Sequence, residues 1–208
     1  MKIAAFLFAA AVTVLAQAPQ PARSPSPDGM ASIQLGWRTD DAPAARAANG
    51  KWVDVLYGRP IRRARTELFG TGANYGVALK GGAPVWRAGA NVLTRLRTEV
   101  PLVFGAKTVP AGEFCLFIDI KDAQSWTLIV SSQTTPAPAE VAERSALWNA
   151  FVYEPAKDVA RVPMKVEALP YTVDELTYVF TDGTRTSATL RLMWDTVMAS
   201  VPFTIDSR

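Results

Sequence analysis

The 208-residue sequence has no histidine and one cysteine. Without histidine there is no Ser-His-Asp or Cys-His nucleophile pair, no His-ligated zinc, no two-His-one-carboxylate iron and no imidazole acid–base step. A single cysteine excludes an intrachain disulfide, a Cys₄ zinc site, a Cys-ligated iron–sulfur cluster and a C-x-x-C redox pair. No metal and no cofactor is therefore expected. Charge of one sign is scarce too: 22 Lys plus Arg stand against 19 Asp plus Glu, a net +3. No Lys/Arg stripe interleaved with aromatics is present, so no nucleic-acid partner is expected. Arg62-Arg63-Ala64-Arg65 is the nearest thing to a basic patch, and it reads as a solvated loop. Asp, Glu, Lys, Arg, Tyr, Ser and Thr remain for chemistry, and they form no catalytic signature. Whether the chain is an enzyme stays open at this point, with the missing signature leaning against it.

Long apolar runs are confined to the start. Lys2 precedes the run 3–15 (IAAFLFAAAVTVL), and Ala16-Gln17-Ala18 follows as an A-x-A cleavage site. This is the pattern of a secretory signal peptide over residues 1–18. The run is short for a ~30 Å hydrocarbon core, and no second one follows, so no stable membrane insertion is expected after cleavage. The mature protein is expected to be exported, to the periplasm or the medium. Residues 19–31 (PQPARSPSPDGMA) have the composition of a Pro-rich linker. The rest, 32–208, is long enough for one domain, and 49% hydrophobic residues suffice for a core.

Within that domain the dominant period is two, the mark of strands. Phe114, Leu116, Ile118 and Ile120 share one face of a strand over 113–120. Leu176, Tyr178 and Phe180 alternate with Glu175, Thr177 and Val179, and Ala188, Leu190, Leu192 and Trp194 with Thr189, Arg191, Met193 and Asp195. Val197, Ala199, Val201, Phe203 and Ile205 repeat the pattern after what reads as a short turn. Further strands are expected near 33–38, 52–57, 92–99, 101–109, 125–131 and 160–168. Asp182-Gly183 between two alternating runs is a hairpin signal. Only 138–149 (PAEVAERSALWN) reads as a helix. The fold class is all-β: an antiparallel β-sandwich, jelly-roll-like or a partly open barrel, with one short helix.

The glycines at 70, 72, 76, 81 and 82 lack the strand–loop–helix context of a dinucleotide site and read as a surface loop. Cys115, between aromatics in a strand, reads as a buried hydrophobe. Asp40 with Asp41, Asp119 with Asp122 and Asp174 with Glu175 are local acidic pairs at strand ends or turns. Glycoside hydrolysis would need two carboxyls converging in space, one with a raised pKa. Of the six tryptophans, Trp126 and Trp194 fall on apolar strand faces; Trp86 and Trp148 are freer to face a cleft.

The densest cluster of unusual residues is Trp86-Arg87-Ala88-Gly89-Ala90-Asn91. Tyr57-Gly58-Arg59-Pro60 lies upstream of it and Val109-Pro110-Ala111-Gly112-Glu113-Phe114 downstream; Ser125-Trp126-Thr127 follows. Together these runs resemble a bacterial family, the domain of unknown function numbered twenty-nine eleven, from about Ser32 to about Ile205. The Gly-rich stretch at 70–85 departs from that family's pattern. The resemblance implies an exported β-rich domain and carries no activity. Arg59, Trp86, Arg87, Asn91 and Trp148 are the candidate ligand-binding residues. Trp86 and Arg87 must point to opposite faces of a strand, with the Gly-rich loop as the natural cover for one of them. The expectation is a non-catalytic module of the cell envelope that binds a small molecule, a glycan or an envelope protein. The alternative is a carboxylate-dependent hydrolase of an envelope polymer.

Overall fold

A computed structural model describes residues 24–38, 42–133, 150 and 153–206. The strands are β1 (Asp28–Leu35), β2 (Lys51–Gly58), β3 (Ala90–Thr98), β4 (Leu102–Phe104), β5 (Lys107–Val109), β6 (Gly112–Ile120), β7 (Trp126–Ser131), β8 (Asp158–Thr181) and β9 (Ser187–Ile205). Two short helices, α1 (Pro43–Asn49) and α2 (Val77–Lys80), interrupt them. All nine strands form one antiparallel sheet, in the order β1-β2-β3-β6-β7-β8-β9-β4-β5. The all-β, antiparallel expectation holds, in its open form.

β8 and β9 make the architecture. The first part of β8 pairs with β7 as far as Met164, and the remainder pairs with β9. The end of β9 then pairs with β4, Leu102 opposite Ile205. The sheet thus folds over and packs its inner face on itself. Tyr57 of β2 meets Tyr178 of β8 edge-on at 4.8 Å, and Phe104 of β4 meets Phe203 of β9 at 5.5 Å. No turn separates 188–194 from 197–205. Asp195 adopts φ +53° inside one continuous strand, and the register with β8 shifts there. This bulge moves the buried residues from even positions (Leu190, Leu192, Trp194) to odd ones (Val201, Phe203, Ile205). Arg62 Nε holds the Asp195 carboxylate at 2.7 Å.

Several expected boundaries differ. β1 begins at Asp28, inside the stretch assigned to the linker, because pairing with β2 starts at Asp28 opposite Gly58. The strand expected over 101–109 is a hairpin of β4 and β5 turning at Gly105, φ +58°. The Asp182-Gly183 hairpin forms as read, with Asp182 at φ +53°. The helix read at 138–149 lies outside the described residues. α1 was not anticipated, and α2 is a single turn of the Gly-rich segment, bounded by left-handed Gly76 and Gly81.

The inner face carries the main core, in which Trp86, Trp126, Trp194, Leu116 and Leu192 are all buried. β6 is buried on both faces. Its odd residues Cys115 and Phe117 join Leu93, Ile129, Val85 and Tyr153 in a second, smaller core on the outside of the sheet. Trp86 and Arg87 do point to opposite faces, and both faces are covered at that point. The Gly-rich segment covers the inner side: Phe69, stacked on Tyr75, packs on Trp126 and Trp194.

Candidate functional site

The Trp86–Asn91 run is a corner that delivers the chain into β3. Trp86 exchanges both backbone hydrogen bonds with Ile118 of β6, at 2.9 and 2.8 Å. Its ring, 3% exposed, stacks on Trp194 at 6.2 Å and meets Trp126 edge-on. No face of the indole is open to a ligand. Ala88 and Asn91 are both left-handed, with φ of +56° and +62°. The Ala88 carbonyl accepts two buried hydrogen bonds, from Thr94 Oγ1 and Tyr178 Oη, each 3.0 Å. A Cβ on Gly58 would stand 2.2 Å from the Ala90 carbonyl oxygen, so only glycine lets β2 and this corner meet.

The other candidate residues brace the same corner. Arg87 donates from Nε to the Gly89 carbonyl at 3.1 Å and from Nη1 to the Asn91 carbonyl at 3.4 Å. It has no carboxylate partner among the described residues, and burial pushes its pKa down to about 10. Asn91 Nδ2 donates to the Ser26 carbonyl at 2.8 Å, fastening the chain that leads into β1. Arg59 bridges to Glu175 of β8 at 2.9 Å. Arg59, Trp86, Arg87 and Asn91 therefore gather at one corner as parts of its construction. Trp148 lies outside the described residues, as do Asp40 and Asp41.

Of the other acids, Glu175 stands at this corner, and Asp119 and Asp122 are engaged elsewhere. Asp119 pairs with Arg161, while Asp122 caps the β6–β7 turn by accepting the amides of Gln124 and Ser125 at 2.8 Å. Those amide bonds hold the Asp122 carboxyl below its usual range. Tyr153 donates to Asp158 at 2.7 Å and accepts from Arg161 at 2.9 Å; burial first, then Asp158, pushes its hydroxyl up to about 12. Of the expected basic patch, Arg62 is taken by Asp195, and the Arg65 guanidinium lies 5.3 Å above the Trp194 ring.

Next to the corner, the outer face of β1, β2 and β3 carries two adjoining clefts. Register sets Met30 beside Leu56 and Leu56 beside Arg95; one step along, Ser32, Asp54, Arg97 and Glu113 form the next row. Side chains at i and i+2 share a face, so Trp52, Asp54 and Leu56 line β2 outwards. A cleft of 400 Å³ is lined by Asp28, Met30, Leu56, Val92 and Arg95. A second, of 290 Å³, is lined by Trp52, Asp54, Arg97, Glu99 and Glu113. Met30, Trp52 and Val92 are 66, 44 and 46% exposed. Glu113 is gripped by Arg97 at 2.7 Å and Arg95 at 3.1 Å, and its pKa is held below the ordinary value, chiefly through the Arg97 hydrogen bond. Sequence reading missed this face; large apolar residues at the outward positions of β2 were its one visible signal.

Corner and face define a class: an open, all-β fold stapled at one corner, with a mixed apolar and charged groove on the sheet beside it. The chain belongs to the protein family of unknown function DUF2911, whose model matches residues 40–203. No curated protein matches the chain, and no solved structure matches it.

Proposed function

We propose that the protein is an exported, non-catalytic binding module of the cell envelope, whose ligand or partner docks on the outer face of β1, β2 and β3. One observation carries the reading: Met30, Trp52 and Val92, exposed large apolar residues from three strands, share this face with Leu56 among them. Scattered single apolar residues are ordinary on a protein surface, whereas a grouped set rimmed by polar residues marks an interaction site. The cleft beside Trp52 also gathers three carboxylates, the observation that favours the hydrolase alternative. A hydrolase would need one of them held as an acid. Arg97 and Arg95 pull Glu113 the opposite way, which supports binding over catalysis.

The test is a thermal-shift panel of glycans, peptidoglycan fragments and small organic anions, run on the native chain and on a Met30→Asp/Val92→Asp double variant. At least one class raises the native midpoint and fails on the variant. A flat response across the panel, with unchanged capture of envelope proteins by the variant, defeats the reading. Release of reducing ends from any glycan would favour the hydrolase instead. For export, the mature N-terminus should lie near Pro19; recovery of intact Met1 on cytoplasmic protein would overturn that part.

A further inference from the structure

We infer that the Trp52 end of the outer face is a subsite for a neutral, extended oligosaccharide, a step that rests on the outer face being the binding surface. The chemistry of the lining selects the ligand. An indole fixed on a strand and open on one side offers an apolar platform matched to the C–H face of a pyranose ring. Around it stand groups that hydrogen-bond hydroxyls in both directions. Arg97 donates; Asp54, Glu99 and Glu113 accept. Arg97, Glu99 and Glu113 are held in place before any ligand arrives. Glu113 is fixed by both arginines, and Glu99 Oε2 already accepts the Trp52 amide at 2.9 Å. Asp54 has no ion-pair partner among the described residues, although it sits opposite Arg97 in register.

Charge decides between ligand classes. The groove carries both signs side by side, Arg95 and Arg97 against Asp28, Asp54, Glu99 and Glu113, with an excess of acid that turns away an anionic sugar. An anionic ligand meets like charge in the four acids, and a cationic one in the two arginines. A polyhydroxylated neutral ligand meets none, and each of its hydroxyls can donate to a carboxylate and accept from a guanidinium. Shape agrees with an extended chain. The clefts adjoin along β2, and the four residue steps from Trp52 to Leu56 span roughly 13 Å. That is room for more than one ring, with Leu56 and Met30 as a further apolar strip.

Isothermal titration with tetra-N-acetylchitotetraose, cellotetraose and tetragalacturonate tests the assignment. At least one neutral tetrasaccharide binds, more tightly than the acidic one. Trp52→Ala weakens it at least tenfold, Trp52→Phe retains part of the affinity, and Asp54→Asn lowers it several-fold. Trp52 lies on the surface, so the thermal midpoint of each variant stays close to that of the native protein. Acrylamide quenching adds a local readout: the neutral sugar shields tryptophan emission in the native chain and not in Trp52→Phe. Absence of neutral-sugar binding at millimolar concentration, preference for tetragalacturonate, or full affinity in Trp52→Ala would each overturn the inference. If the sugars fail while another class binds and is lost in Met30→Asp/Val92→Asp, the glycan assignment falls and the outer-face reading stands. If nothing binds and the double variant behaves as native, both fall.

Discussion

The Ala88 carbonyl offers a quantitative test of how the Trp86–Asn91 corner is held. Tyr178 Oη and Thr94 Oγ1 each donate to it, while the Tyr178 amide donates to Tyr57 Oη, all at 3.0 Å and all buried. Tyr178→Phe removes one donor from a carbonyl that keeps the other. Its cost should be that of a single net hydrogen bond, about 1 kcal/mol. Thr94→Val, close to isosteric, should cost about the same. Tyr57→Phe differs in kind, because it strands a buried amide with no second partner and forfeits its desolvation, about 1–3 kcal/mol. Tyr178→Phe with Thr94→Val strands the carbonyl itself. The double variant should therefore exceed the sum of the singles by about 1–2 kcal/mol, a coupling within the range seen for groups sharing a partner. Urea melts at pH 7 of the four variants, with a common m-value, supply the cycle. Strict additivity, or Tyr178→Phe costing more than Tyr57→Phe, would refute the reasoning.

Gly58→Ala should be the most damaging small substitution in the sheet, because its Cβ would stand 2.2 Å from the backbone oxygen of Ala90; a loss of about 3 kcal/mol in chemical melts is expected. Gly105→Ala, with nothing within 4 Å, should cost only the left-handed backbone, about 1–2 kcal/mol. Arg87→Met gives up two carbonyl bonds but also relieves the burial of an uncompensated cation, so its melts should show a loss of about 1–2 kcal/mol. A loss above about 3 kcal/mol would place a hidden acidic partner beside Arg87. In alkali, burial raises the Tyr178 hydroxyl well above 10, and burial with Asp158 raises that of Tyr153 to about 12. Above pH 10 the unfolded chain loses these protons while the fold retains them, so stability present below pH 10 should fall as pH rises from 10 towards 12. Arg87, depressed to about 10, works the other way over the same window. Melting midpoints against pH should fall in the native chain and fall less steeply in Tyr153→Phe; a midpoint flat to pH 12 would contradict the burial of Tyr178.

The legible parts of the fold were those written in alternation along a single segment. Cys115, Trp126 and Trp194 are buried as their strand faces implied. The change of parity between Trp194 and Val197 was visible, but a turn and a register shift inside a continuous strand leave the same trace in a sequence; only pairing with β8 distinguishes them. Arg59, Trp86, Arg87 and Asn91 stood out because an unusual corner demands unusual residues, and the same fact makes them unreliable pointers to a ligand. The outer groove left no trace beyond the outward Trp52 and Leu56 of β2, for a geometric reason. Met30, Trp52, Val92 and Glu113 come from four separate stretches, and each alone resembles an ordinary outward-facing strand residue. Register across four strands makes them neighbours.

The length of β8 and β9 bears on how the chain reaches this state. Their hairpin closes through the five residues 182–186, a short loop that costs little entropy and can form early. The β4–β9 ladder, by contrast, joins Leu102 to Ile205 across half of the chain. Until the β8–β9 hairpin folds back over them, the inner faces of β2, β3 and β6 have no opposing layer, and until the β4–β9 pairing is made β4 and β5 hang as an isolated hairpin. Folding should thus be slow, in the millisecond-to-second regime of non-local β topologies. A chain shortened before β9 would be left with its apolar face open and a strand edge unpaired, the condition in which sheets associate with other copies instead of with themselves.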